Sequence, residues 1–324
     1  GNSSNGRAFV EFQKQLLSLW QQGIILAINS KNNFDDAIKV IREHPDMILK
    51  EKHFASIRIN WNDKAQNLVD IGKEINIGLN SIVFFDDDKI NQERIKDEFP
   101  EVLTIELPND PSQYTEILTE LNDFNVLQNT EEDSKRGEMY AQQRQRNQFK
   151  DTVSSLEQFL KQLEIKVKIK KSTEFTIPRI SQLTLKTNQF NLTTRRYQEE
   201  DIKKFVNDDN YLVGCAQISD KFGDNGITGA YIVKKKDKIW ILDTFLLSCR
   251  VMGRGIEDGI LSHIIDNAKK NNVEEIKAEF IQTTKNKPAE NFLKNYGFIK
   301  QENYWNYKLN NNIKYPNHLK VEIE

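Results

Sequence analysis

Between an apolar, β-prone stretch and a helix-like pattern, the chain reads Arg250-Val251-Met252-Gly253-Arg254-Gly255. In an Arg-x-x-Gly-x-Gly turn the glycines let backbone N–H groups approach an anion closely, and the helix start that follows adds partial positive charge. The turn suits a pyrophosphate held by main chain, as in coenzyme A or a phosphopantetheine arm; the alternative is a tight strand-to-helix connection. Cys249 stands directly before it. A thiol there can face the end of a bound pantetheine and be drawn towards thiolate by Arg250, Arg254 and the helix start; the alternative is a small buried apolar residue. Cys215, between Gly214 and Ala216 in an apolar strand, reads as core.

Polar groups gather elsewhere too. In "LKTNQFNLTTRRY" they surround Phe190 and Leu192. Asn188 and Gln189 can specify hydroxyls and Arg196 can pair with carboxylate or phosphate, so the segment reads as the wall of a site; the alternative is a solvated loop and edge strand. Three further clusters close apolar strands nearer the start: "NSKNN" with Ser30, Lys31 and Asn32, "NWNDK" with Lys64, and "DDD" with Asp86 and Asp87.

These positions need elements to hold them. Residues 7 to 123 alternate helix and strand: "RAFVEFQKQLLSLWQQ", then "IILAIN", "FDDAIKVIREH", "FASIRI", "DKAQNLVDIGKEI", "SIVFF", "NQERIKDEF", "VLTIEL" and "SQYTEILTEL". Strands apolar throughout, separated by amphipathic helices, predict an α/β fold with a doubly wound parallel sheet, whose chemistry gathers at the carboxyl ends of the strands. Residues 125–172, dense in Glu, Lys, Gln and Arg, read as a helical connector. In residues 173–324 a meander, "YLVGCAQISD", "GITGAYIVK" and "KIWILDTFLLS", leads to helix "IEDGILSHIIDNAKKN", strand "EIKAEFI" and helix "PAENFLKNY".

Composition sets outer bounds. The 324 residues, 38% hydrophobic and 29% charged, suffice for two domains with their own cores. With 46 basic against 48 acidic side chains, no overall field favours nucleic acid or an anionic membrane. No apolar run approaches the roughly 18 to 20 residues of a membrane span, and the polar start lacks signal-peptide character. Two cysteines make no disulfide framework and four scattered histidines make no zinc site, which points to the cytoplasm.

The glycine turn, its flanking elements and the closing "NKPAENFLKNYGF" together resemble the GNAT acetyltransferase fold. The resemblance implies that Arg250–Gly255 cradles the cofactor's pyrophosphate and that Asn286 and Ala289 open the helix before Gly297-Phe298. Many members place a tyrosine acid four residues before that glycine, but here the residue is Leu293, which cannot give up a proton. The strand ends of the first half resemble the haloacid dehalogenase (HAD) superfamily of phosphatases. That scheme implies Ser30 bonding the transferring phosphoryl group, Lys64 neutralising phosphate and nucleophile charge, and Asp86 and Asp87 holding Mg2+ through hard oxygens. It also demands an aspartate nucleophile on an earlier strand, yet no aspartate precedes Asp35. The missing strand belongs between those ending at Ser30 and Asp86, leaving each without a neighbour. A fragment of a longer protein is the favoured explanation, and an aspartyl-phosphate route is not expected from the sequence as it stands.

Taken together, "NWNDKAQNL", "FFDDD", "EEDSKRGEMY", "LTLKTNQFNLTTRRY" and "LSCRVMGRGIE" are similar to FkbH-like proteins, a HAD subfamily IIIC domain fused to a GNAT-like domain. The resemblance implies an incomplete HAD-like sheet in residues 1–124 and a GNAT-like α+β domain in 173–324. It implies capture of 1,3-bisphosphoglycerate, removal of phosphate, and delivery of the glyceryl unit to an acyl carrier protein with Cys249 as relay. Where some members carry Pro and Arg after the aspartates, this chain has Lys89 and Gln92. Two other readings stay open: an acetyl-CoA-dependent N-acetyltransferase, and a non-catalytic module docking a carrier protein or phosphorylated ligand.

Overall fold

The computed structural model describes residues 3–124, 135–302, 304–309 and 315–324. Helix and strand alternate through the first half as the pattern requires: α1 (Ser4–Gln21), β1 (Leu26–Ser30), α2 (Phe34–Glu43), β2 (Phe54–Ile59), α3 (Lys64–Ile75), β3 (Val83–Asp86), α4 (Lys89–Glu98), β4 (Leu103–Glu106) and α5 (Tyr114–Glu120). Side chains of Ser3, Asp63 and Asp88 accept from backbone amides at the starts of α1, α3 and α4, relieving donors that a helix start leaves orphaned.

The strands do not form one sheet. β1 pairs in parallel with β2, from Leu26↔Phe54 to Ser30↔Ile59, and β3 pairs in parallel with β4, from Val83↔Leu103 to Asp86↔Glu106. Among the described residues neither β1 nor β3 has a strand on its other edge. The apolar core is divided in the same way. Ile38, Ile41, Leu49, Phe54 and Ile59 make one cluster, and Ala65, Leu68, Phe84, Ile95 and Val102 another.

The chain divides into two compact units after Gln148, within α6 (Arg136–Thr152). The helical connector expected over 125–172 therefore needs correction, apart from 125–134, which lie outside the described residues. α7 (Leu156–Gln162) and β5 (Ile165–Lys171) belong to the second unit. In "IKVKIKK" Ile165, Val167 and Ile169 are buried while lysines alternate with them. That period of two is a strand signal, masked by the charge around it.

The second unit continues with α8 (Ile177–Lys186), β6 (Phe190–Asn191), α9 (Glu199–Val206), β7 (Tyr211–Asp220), β8 (Gly223–Lys236), β9 (Ile239–Leu247), α10 (Ile256–Lys270), β10 (Glu275–Glu279), α11 (Lys287–Tyr296), β11 (Ile299–Gln301), β12 (Tyr304–Lys308) and β13 (Leu319–Ile323). Its mixed sheet runs β11-β12-β10-β9-β8-β7-β5-β13, with β6 attached to β9. Successive residues of each strand face opposite layers. Tyr231, Val233, Phe245 and Leu247 pack in the layer of α10 and α11, whereas Ala230, Ile232 and Leu246 pack with α8 and α9. β9 and β10 are parallel because the glycine turn and α10 cross between them.

Gly214 lies opposite Tyr231 on β8, and a Cβ there would stand 2.3 Å from the ring. Tyr231 is almost fully buried, so it has nowhere to retreat. Gly214→Ala is expected to destabilise the second unit by about 2 kcal/mol, read from urea unfolding of the full chain. An unchanged midpoint would mean that the contact is absent.

Candidate functional site

In the first unit, β1, α3 and β3 bring their polar ends to one place. Lys64 is the first residue of α3, so its backbone is fixed by the cap at Asp63, whose side chain accepts from Ala65 N–H at 2.9 Å. Its carbonyl accepts from Asn29 Nδ2 at 2.8 Å, and its ammonium reaches Asp86 Oδ2 at 2.6 Å. Lys64 thus joins β1 to β3. The pair is well buried, with side-chain exposures of 14% and 2%, so each charge depends on the other for stabilisation. Asp86 Oδ1 accepts from Asp88 N–H at 3.0 Å, and Gln92 Nε2 donates to the Asp86 carbonyl at 2.6 Å.

Ser30 ends β1 half-buried, with its carbonyl accepting from Asn60 N–H. Lys31 is exposed and donates to Asn91 Oδ1 at 3.3 Å, and Asn91 donates to Asp88 at 2.8 Å. Asn32 lines an open cleft of about 530 Å³ with Asn33, Phe34, Asn60 and Trp61. Asp87 is exposed, while Asp88, adjacent to it, caps α4. Five sequence-predicted residues, Ser30, Lys31, Lys64, Asp86 and Asp87, therefore cluster at the carboxyl ends of β1 and β3. The arrangement offers a hydroxyl and a cation held by a carboxylate, groups suited to a phosphate ester. For Mg2+ the fit is incomplete. Among the described residues no three His, Cys, Asp or Glu side chains gather, and Asp86 is committed to Lys64.

Sequence reasoning missed the amides that brace this cluster. Asn67 on α3 is buried and donates to Asn29 Oδ1 at 3.2 Å and Asn60 Oδ1 at 2.9 Å. The signal available was four asparagines and a glutamine at strand ends and facing helix turns, but only the fold shows that they meet.

In the second unit Cys249 is exposed at the turn after β9, so the buried-residue alternative does not hold. Gly253 is exposed at φ +74°, with no atom within 4 Å of where a Cβ would stand. The rest of the turn is occupied. Gly255, at φ +71°, has the His318 ring 3.1 Å from its Cβ position, and His318 Nε2 donates to the Arg254 carbonyl at 2.8 Å. Val251 is core, and Met252 packs against that core. Arg254 is buried, donating to Asp220 at 3.2 Å and to the Arg250 carbonyl at 2.9 Å. Its expected role toward a cofactor is thereby corrected: the guanidinium offsets a buried carboxylate. Arg250 Nε lies 3.5 Å from Ser248 Oγ.

Asn286 is completely buried, donating to the carbonyls of Asn191 and Ile281 and accepting from Thr283 N–H. It is a structural tie and does not face a ligand. Arg196 donates to the carbonyls of Thr184 and Thr187 and to Asn188 Oδ1. This guanidinium satisfies the orphan carbonyls ending α8, so Arg196 and Asn188 are spent on each other and on the helix. Gln189 is exposed. Leu293 is fully buried core. The missed residues here are Arg195, which grips Glu279 with both terminal nitrogens at 2.6 and 2.8 Å and also reaches Asp243, and Tyr197, which donates to Asp243 at 2.9 Å.

No family model matches the chain, and no curated protein matches it. Solved structures do. The N-terminal part of BF1531 from Bacteroides fragilis, containing a phosphatase domain and solved with Mg, is 38% identical over 39% of this chain, at a TM-score of 0.38. The chain spans 34% of the length of that structure. The ribosomal-protein-S18-alanine N-acetyltransferase of Escherichia coli is 14% identical over 44% of this chain and 90% of its own, at a TM-score of 0.33. Rv2747 from Mycobacterium tuberculosis, solved with CoA and NLQ, is 15% identical over 41% of this chain and 72% of its own, at a TM-score of 0.33. The neighbours are a phosphatase domain and acetyltransferases.

The first turn of α10 bears Glu257 and Asp258. Burial pushes the Glu257 carboxyl up to about 7, and its Oε2 has no hydrogen-bond partner. Burial likewise raises Asp258, opposed by His318. A helix start already carrying its own acids has less attraction left for a diphosphate.

Two expectations follow. Because the folded protein holds the Glu257 proton above its ordinary 4.5, this group's contribution is complete at low pH and is lost as pH rises through about 7. Glu257→Gln is expected to flatten that decline and gain on the order of 2 kcal/mol at about pH 8, measured by urea unfolding across pH. Lys64→Met strands the Asp86 charge and is expected to cost about 3 kcal/mol, most of it recovered in Lys64→Met/Asp86→Leu. Equal stabilities for the single variant and wild type would show that the pair is not formed.

Proposed function

We propose that the protein moves an acyl group, a glyceryl unit, from a phosphorylated three-carbon donor to the thiol of an acyl carrier protein. The observation that carries this reading is the buried Lys64–Asp86 pair beside Ser30 and Lys31, a cationic, hydroxyl-bearing place for a phosphate at the strand ends. The similarity of "NWNDKAQNL", "LTLKTNQFNLTTRRY" and "LSCRVMGRGIE" to FkbH-like proteins supports 1,3-bisphosphoglycerate as donor. Chemically, a thiol sulfur attacks the acyl carbon, the C–S bond forms, and the bond to the phosphate oxygen breaks. Phosphate leaves with that electron pair, and the thiol proton passes to solvent. Cys249, exposed after β9, is the proposed first acceptor, and the carrier thiol then displaces it by the same exchange.

Removal of the second phosphate needs more than these residues. In the proposal the interval between β1 and β3, which no strand of the described residues fills, takes a further strand that brings an aspartate. Asp86 and Asp87 would help to hold Mg2+ beside such an aspartate, and the ion would screen the phosphate charge. The open edges of β1 and β3 among the described residues, where no third carboxylate joins Asp86 and Asp87, support this view. The same observations favour, as a second reading, a docking module for a carrier or phosphorylated ligand. An N-acetyltransferase has less support, because Leu293 is core and offers no acid.

Incubation with the bisphosphoglycerate, Mg2+ and a carrier protein, followed by intact masses, tests the proposal. Acyl on the carrier and on Cys249 is the expected result, with the enzyme adduct lost in Cys249→Ala. Transfer by Cys249→Ala as fast as by wild type removes the relay, and acyl on neither protein leaves the docking reading.

A further inference from the structure

The strand leading into the glycine turn has two kinds of outer neighbour. From Ile239 to Leu242, β9 pairs with β10, ending at Leu242↔Ala278. Beyond that point β10 departs, and the same edge of β9 carries the chain's own residues 190–192. Phe190 pairs with Leu247, Asn191 with Leu246, and Leu192 N–H donates to the Phe245 carbonyl at 3.2 Å. On the far side the Leu192 carbonyl accepts from Ile281 N–H at 2.9 Å, and the Asn191 carbonyl accepts from Asn286 Nδ2 at 3.0 Å. The segment 190–192 is thus paired with β9 on one side and, through the carbonyls of Asn191 and Leu192, hydrogen-bonded to the chain beyond β10 on the other.

Side chains seal it. Phe190 is buried against the rings of Phe245 and Phe292, with centroids 5.9 and 5.4 Å away, and Leu192 is fully buried. Downstream, Arg195 binds Asp243 on β9 and Glu279 on β10, one carboxylate from each diverging strand, and Tyr197 bonds Asp243 again. Asn191 Nδ2 donates to the Thr187 carbonyl, while its Oδ1 accepts from the amides of Thr193 and Thr194.

A pantetheine arm is an extended chain with two amides, and burying them requires partners that a sheet edge supplies. The edge next to the glycine turn is β9 from Asp243 to Leu247, where protein backbone already lies. The far end of such a ligand would meet His318 over Gly255 and the acids opening α10. We infer that the interval between β9 and β10 is a closed structural seam, and that the second unit does not receive coenzyme A or a pantetheine arm there. The inference concerns the interior of the sheet and is independent of acyl transfer through the exposed Cys249.

Hydrogen exchange of the full chain, alone and with coenzyme A, read on peptides spanning 188–194, 243–248 and 278–284, decides the matter, with equilibrium dialysis to measure binding. Slow exchange of Leu192 and Ile281, with no saturable binding up to about 1 mM coenzyme, is the expected result. Binding that leaves these amides unchanged is also consistent, since the coenzyme then lies elsewhere. Rapid exchange at Leu192 without ligand, or coenzyme binding that changes protection at 190–192, overturns the inference.

Discussion

A strand edge exposes a row of amides and carbonyls that must find partners, and the two units meet this demand differently. In the second, β13 lies along β5, and residues 190–192 lie along the part of β9 that β10 leaves. Every consequence for the glycine turn follows from that second pairing. The turn has the backbone an anion site needs, but the strand feeding it has no edge left to guide an extended ligand. In the first unit β1 and β3 each have one partner strand among the described residues, and each pair has its own apolar cluster.

Charged groups reinforce these arrangements from inside. Lys64–Asp86 spans the interval between β1 and β3, Arg254–Asp220 lies under the glycine turn, and Arg195 joins Asp243 to Glu279. The first two pairs are desolvated enough that removing one partner leaves a charge without compensation, whereas Arg195 is more exposed and shared between two carboxylates. Exposure separates roles within each set. Arg254 is sunk beneath its turn whereas Cys249 is exposed, and Asp86 is buried whereas Asp87 is exposed. In each neighbourhood one member faces solvent and the other is committed to the interior.

Amides take the place that charges leave. Asn67 ties Asn29 to Asn60 behind the Lys64 site, Gln92 holds the Asp86 carbonyl, and Asn286 fastens residues 191 and 281. An amide donates and accepts at once and carries no net charge, so it can link two backbones in the interior without a counter-ion.

The sequence by itself determined the elements and their order. Apolar periodicity located the helices and strands of the first half, the meander and α10. It also placed Ser30 and Asp86 at strand ends and Lys64 at a helix start, because a strand's direction and the turn after it are local properties. Tertiary structure alone decided who meets whom. That Arg254 turns inward to Asp220, that Arg196 closes α8, that "IKVKIKK" joins the sheet, and that residues 190–192 fill the seam all depend on contacts between residues distant in the chain, from Arg196 with Asn188 to Leu319 with Ile165. A side chain's type and spacing state what it can bond, but only the packed fold determines whether solvent, a ligand or the protein's own backbone reaches it first.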